Sequence, residues 1–345
     1  MAIIDLRSDT VTLPTQSMRE AMFHADLGDD VFGEDPTINR LEAMAAERLG
    51  MEAALLVVSG TMGNAVCVLT HCGRGEEAIL GDSSHIFLNE AGGMSALGGI
   101  FPHTIPNQPD GTLRLEEIEA AIRSDNIHFP RTRLICLENT HNRCYGAALT
   151  PEYTAAVVGL AKSRGLLVHL DGARIFNAAV ALGVDVRELT RGIDSINVCL
   201  SKGLAAPVGS VICGSRDFVA RARRTRKMLG GGMRQAGIIA AAGIIALQEM
   251  TGRLAEDHMN ARRLAEGIAG IPGLSTDPLR VLTNILYIDL IDRRFSDELF
   301  LSRLKEKGVL ISHTAPTRFR MLTHYGIGAA EIDAALEALR AVMQG

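Results

Sequence analysis

Tryptophan is absent from this sequence, and other aromatics are sparse, with 10 phenylalanines and 4 tyrosines in 345 residues. The formal net charge is only −5. A basic face studded with stacking rings is therefore missing, which argues against nucleic-acid binding. The six cysteines, at 67, 72, 136, 144, 199 and 213, include no Cys-x-x-Cys pair. They read as reduced thiols of a cytoplasmic protein, with neither a disulfide framework nor a zinc site. Long apolar runs are missing too. The longest candidate, 236–247, is too short to span a bilayer, and no basic-then-apolar leader opens the chain. The expectation is a chain with no membrane association and no metal. Its length suggests roughly two domains and allows a core burying about three quarters of the unfolded surface.

What is present is an alternation. Short apolar runs at 55–58, 78–80, 100–104, 134–137, 166–170, 193–200 and 210–213 read as buried strands. Helical stretches at 61–71, 115–122 and 151–163 lie between them, the last opened by Thr150 and Pro151. Such alternation predicts an α/β fold, a mostly parallel sheet with helices on both faces. Residues 1–30 read as an N-terminal arm, 31–250 as the large domain and 251–345 as a small C-terminal α+β domain. A single long helix over about 238–269 is expected to link the two domains.

Three stretches carry chemistry. Asn197–Ser210 runs out of a buried strand into Ser201-Lys202-Gly203, then into small apolar residues. Desolvation there disfavours an ammonium and frees an amine, as Schiff-base chemistry requires. Taken alone, Lys202 reads first as an exposed strand-end lysine, and the other two stretches change that. Asp171 ends the run 166–170, and ligands of open α/β sheets bind outside the carboxyl ends of strands. Ser59-Gly60-Thr61-Met62-Gly63-Asn64 joins a strand to a helix through small residues whose N–H groups can cradle a phosphate. A carboxylate for a pyridinium nitrogen, a lysine for an aldehyde and a phosphate loop together suit pyridoxal 5'-phosphate (PLP).

Other residues are candidates with plainer alternatives. His85, after Gly81-Asp82-Ser83-Ser84, could stack on a ring or relay a proton, or simply cap backbone. His128 lies in a polar loop and carries no site signal of its own. Glu138-Asn139-Thr140-His141 ends a buried strand on the same face as Asp171. Arg174 follows Asp171 by three residues. Arg320 alternates with Phe319 and Met321, where a guanidinium commonly holds a carboxylate. The acidic loop Gly28–Pro36 is a solvated connection or a site loop.

Taken together, Ser-Lys-Gly-Leu-Ala-Ala-Pro-Val-Gly-Ser (201–210), His-Leu-Asp-Gly-Ala-Arg (169–174), Leu-Glu-Asn-Thr-His-Asn (137–142), Arg-Ser-Asp-Thr-Val-Thr (7–12) and Gly-Asp-Asp-Val-Phe-Gly-Glu-Asp-Pro (28–36) resemble the low-specificity L-threonine aldolases. These belong to the aspartate-aminotransferase-like, fold type I PLP enzymes, and the resemblance covers essentially the whole chain. It implies retro-aldol cleavage of L-threonine or L-allo-threonine to glycine and acetaldehyde, a place in threonine catabolism and glycine biosynthesis, and assembly as a homotetramer, a dimer of dimers. It implies a Schiff base on Lys202, Asp171 at the pyridine nitrogen, Gly60 and Thr61 at the phosphate, and His85 stacked on the ring. Ser8, Arg174 and Arg320 would hold the substrate carboxylate, and His128 would lie near its hydroxyl. Arg234 would reach a neighbouring subunit's cofactor. His85 and His128 are the candidate bases. Phe32 stands where the family commonly has tyrosine, and Asn142-Arg143-Cys144-Tyr145-Gly146 lacks the usual glycine pair. A PLP-dependent β-eliminating lyase of the same fold is the alternative enzyme. A PLP-binding protein without turnover would not need Ser8, Arg174 and Arg320 together.

Overall fold

The computed structural model describes residues 3–345. Seven strands form the central sheet: β1 (Ala53–Val57), β2 (Glu76–Gly81), β3 (Phe101–Ile105), β4 (Arg131–Glu138), β5 (Leu167–Asp171), β6 (Ser195–Cys199) and β7 (Ser210–Gly214). Their spatial order is β1-β7-β6-β5-β4-β2-β3, and only β7 runs against the rest. β6 and β7 are buried at every position, because helices cover both faces of the sheet. That is why these strands read as mainly apolar runs in the sequence, although Ser195 and Asn197 are buried within β6.

Antiparallel pairing of β6 with β7 turns residues 200–209 into a compact connection. Leu200 N–H donates to the Gly209 carbonyl at 3.0 Å, and Gly209 takes φ +104° to close it. Lys202 is held in this loop. In register, Glu138 of β4 lies beside Asp171 of β5, which lies beside Asn197 of β6. Helix α1 (Gly60–His71), capped by the Ser59 hydroxyl on Met62 N–H, follows β1 and packs against β6.

The expected long linking helix is broken. Gly237–Ile245 is α-helical, Ala246–Met250 widens into a π turn, and α2 (Leu254–Ala269) restarts after Gly252. The two halves meet at 68°. Glycine and a π turn are ordinary causes of such a kink. Among the described residues no single helix is long and apolar enough to cross a membrane.

The small domain is a four-stranded antiparallel sheet of β8 (Leu274–Ser275), β9 (Ile285–Leu290), β10 (Ser312–Ala315) and β11 (Arg318–Leu322), in the order β10-β11-β9-β8. α2, Asp297–Glu306 and α3 (Ala329–Gln344) share its core, with Phe300 and Phe319 in ring contact at 5.1 Å. The arm does not stand apart. Ile4–Asp5 pairs in parallel with Val309–Leu310, and Leu6 is fully buried in the small-domain core.

Candidate active site

Lys202, Asp171, Glu138, His85, Arg174 and Arg320 converge on one cavity of about 140 Å³ at the carboxyl ends of β4, β5 and β6. Asp171 is 2% exposed. Its Oδ1 accepts from Ala173 N–H at 3.2 Å and its Oδ2 from the Asn64 amide at 2.8 Å. No cation pairs with it among the described residues. A buried carboxylate lacking a cation is costly, so this site asks for a positively charged N–H donor such as a pyridinium. Lys202 Nζ faces the same cavity and makes no hydrogen bond among the described residues. The donor set therefore fits PLP: an uncommitted amine, an uncompensated buried carboxylate and a helix N-terminus at Gly60 and Thr61.

Behind Asp171, Asn64 on α1 is a hub. Its Nδ2 donates to Asp171 and to Glu90 Oε1 (2.7 Å), while its Oδ1 accepts from Asn197 Nδ2 (3.0 Å) and pairs with His169 Nε2 (3.1 Å). His169 Nδ1 and His71 Nε2 both meet the Ser195 hydroxyl. Burial pushes His169 down to about 4 and His71 to about 3, so both rings are neutral hydrogen-bonding groups at physiological pH. His85 behaves differently. Burial opposes its charged form, but the Glu90 hydrogen bond at Nδ1 (2.8 Å) and the Asp171 charge outweigh that and raise its pKa. Glu90 is itself raised by burial and by Asp171. His85 is also anchored through its backbone, its N–H donating to Glu138 Oε2 at 2.7 Å.

On the opposite wall, Arg174 is buried and already engaged. Its Nε and Nη2 donate to the two Asp9 oxygens at 2.6 and 2.7 Å. Burial alone would push Asp9 up, but the guanidinium outweighs it and holds the carboxyl well below the usual range. Arg320 is less committed. Its Nη1 donates to Asn142 Oδ1 at 2.8 Å, while its buried Nε has no partner among the described residues. Burial and the nearby Arg174 charge lower its pKa, a sign that it lacks an anion. Ser8 lines the cavity beside them, its hydroxyl accepting from Thr10 N–H.

Residues 5–291 match the model of the beta-eliminating lyases. The chain belongs to that family. It is 48% identical to low-specificity L-threonine aldolase 1 of Arabidopsis thaliana, over 99% of this chain and 97% of that protein. It is 46% identical to the low specificity L-threonine aldolase of Escherichia coli K12, over 96% of each. Among solved structures, the threonine aldolase of Leishmania major superposes with a TM-score of 0.84 at 19% identity, covering 98% of this chain and 99% of that one. An SPT solved with PLP superposes with a TM-score of 0.77 at 18% identity, covering 99% and 87%. The fold is that of the PLP-dependent fold type I enzymes, and this family member is a PLP-dependent lyase.

Four residues that the family resemblance assigns to the site, Gly60, Thr61, His128 and Arg234, do not line this cavity of their own chain. His128 is exposed in the loop before β4, at the amino end of the sheet. Glu138 marks the other end of that strand, about 23 Å away at 3.3 Å per residue. Arg234 is exposed and ion-paired to Asp29 in the acidic loop at 2.8 Å. Phe32, in that same loop, is 73% exposed. Gly60 has a packing reason beyond any ligand, since a Cβ there would lie 2.7 Å from Cys199 Sγ. Thr61 is exposed in the first turn of α1 and lines a neighbouring pocket with Asn64 and Glu90. Sequence reasoning missed Asp9, Asn64 and Glu90. Asp9 sits inside the quoted Arg-Ser-Asp-Thr and Asn64 at the end of the glycine-rich turn, so the motifs contained them without revealing their partners.

Proposed function

We propose that this chain cleaves L-threonine, L-allo-threonine and other β-hydroxy-α-amino acids between Cα and Cβ, releasing glycine and an aldehyde such as acetaldehyde. The observation that carries the reading is the meeting, in one cavity, of an uncommitted lysine, a buried carboxylate without a cation and an arginine with an unpartnered Nε. Identity of 46–48% to threonine aldolases over nearly the full length supports it.

PLP, when bound, supplies the electron sink for the pair left at Cα when the bond breaks. Lys202 supplies the amine that holds the cofactor's aldehyde carbon. Asp171 would accept the ring N–H, and Asn64 keeps that carboxylate aimed. Gly60 and Thr61 offer backbone N–H groups to the phosphate at the start of α1. Arg320, the remaining Arg174 nitrogen and Ser8 hold the substrate carboxylate, which fixes the orientation of the Cα–Cβ bond. His85 would stack on the ring, as the resemblance implies, with Glu90 held at its Nδ1. The Nε2 lone pair is then free to take the β-hydroxyl proton, directly or through a water.

The substrate is a small amino acid. The working form in this reading is a homo-oligomer, a dimer of dimers, in the cytoplasm. Phe23, Phe32 and Met228 are each more than 70% exposed, as apolar side chains covered by another copy would be. In such an assembly His128 and Arg234 serve the site of a neighbouring copy. The deciding test is aldehyde release from L-threonine and, separately, from L-allo-threonine by the PLP-loaded protein. Release from both with loss of nearly all turnover in Lys202→Ala is expected. Ketoacid and ammonia in place of aldehyde and glycine would move the assignment to β-elimination.

A further inference from the structure

The loop after β4 departs from the glycine pair usual in this family, and Tyr145 occupies the left-handed region at φ +61°. A tyrosine is disfavoured there, and strain of this kind concentrates where side chains serve ligands. Here it accompanies a ring directed into an outer cavity of about 460 Å³. That cavity joins the inner one through His85, Asn142 and Arg320, which line both. Tyr145 packs on Tyr287 with ring centroids 4.9 Å apart, and the Arg280 guanidinium lies 3.6 Å from its ring centroid.

The lining is cationic. Arg143, Arg318 and Arg320 face the outer cavity and no carboxylate does, among the described residues. Arg318 is satisfied by Asp289 at 2.7 and 2.9 Å, and His313 by Asp297 at 2.9 Å. Arg320 is assigned to the α-carboxylate. Arg143 is left, exposed and without an ion pair among the described residues. The methyl group of threonine uses none of this.

We propose that this vestibule binds an anionic group on the substrate side chain, so that the preferred substrates are β-hydroxy-α-amino acids carrying a second carboxylate. The proposal rests on the retro-aldol reading above. With 3-hydroxyaspartate, the Cα–Cβ bond breaks, the β-hydroxyl proton leaves to the base and Cα gains a proton, giving glycine and glyoxylate. With 3-hydroxyglutamate the same step gives glycine and malonate semialdehyde. Arg143 and Arg320 divide the two carboxylates between them.

The experiment compares kcat/KM of the PLP-loaded enzyme for these two substrates with that for L-threonine. The better of the two is expected to exceed L-threonine by about tenfold or more, the size of one charge-assisted contact. Arg143→Ala should lower that ratio by about tenfold, and Arg143→Lys should retain most of it. A wild-type preference for L-threonine, or a ratio that Arg143→Ala leaves unmoved, overturns the proposal. Should no substrate release an aldehyde, the retro-aldol reading fails first. Calorimetry then still decides the vestibule: succinate must bind wild type more tightly than butyrate, and Arg143→Ala must erase the difference.

Discussion

Asp9 and Arg174 face each other in a region where neither charge could be buried alone. Asp9 is fully buried and Arg174 is 7% exposed. Asp9→Ala leaves a guanidinium without its anion and is expected to cost about 3–5 kcal/mol, read as a lower urea midpoint. Asp9→Asn, which keeps an acceptor oxygen, should cost less. Because the folded-state pKa of Asp9 is depressed, its contribution is fully present above the unfolded value of about 3.9 and lost as pH falls below it. The wild-type midpoint should therefore drop more steeply than that of Asp9→Asn under acid. Glu90 bears on the proposed proton transfer through its hydrogen bond to His85. Its hydrogen bond raises the His85 pKa, so Glu90→Gln should lower it. If His85 is the base, the acid limb of the kcat/KM profile then moves to lower pH. The plateau should also fall about 10–100-fold, since the ring loses the partner that orients it. An unmoved acid limb would remove His85 from the role of base.

Among the elements, the start of α1 packs closely on β6. Gly60 permits it to approach β6, where a Cβ would meet Cys199 Sγ at 2.7 Å. Gly60→Ala should weaken PLP affinity by about tenfold or more, measured by cofactor titration, because it displaces the N–H groups aimed at the phosphate. Adding Cys199→Ala should restore most of that affinity, which distinguishes displacement from a lost contact. Elements of this kind were legible in the sequence for a physical reason. Strands buried on both faces are mostly apolar, so the strands of the central sheet stood out as runs even though Ser195, Asn197 and His169 are buried among them. Asp171 and Lys202 stood out as polar residues at or just beyond the ends of two of them. The break at Thr251–Gly252 was not legible, because both flanking stretches keep helical periodicity and a single glycine between them does not by itself announce a bend. Asn64 and Glu90 were hidden for a related reason. Each matters only because α1, the segment after His85 and β5 come together, and no periodicity encodes that meeting.

At the scale of the whole molecule, the chain closes on itself through its first residues. Ile4–Asp5 extends the small domain, Leu6 enters its core, and Asp9 reaches Arg174 of the large domain. The arm thus ties the cavity-lining Arg174 to both domains, and a boundary at residue 30 does not separate it from either. His128 marks what a single chain leaves incomplete. It lies at the amino end of β4, while Glu138 at the other end lines the cavity. About 23 Å of strand separates those ends, beyond the reach of any side chain. If His128 serves a site, it serves that of another copy. Mixing subunits decides this. In a dimer of one Lys202→Ala chain and one His128→Ala chain, the second chain retains its lysine and borrows the intact His128 of the first. One of the two sites is then whole, so activity should recover to at most about half of wild type, although each homomeric variant is nearly inactive. Full activity of His128→Ala alone would show that the histidine has no part in turnover and leave His85 as the base candidate within the site. No recovery in the mixed assembly, with both homomeric variants inactive, would show that His128 does not act across subunits.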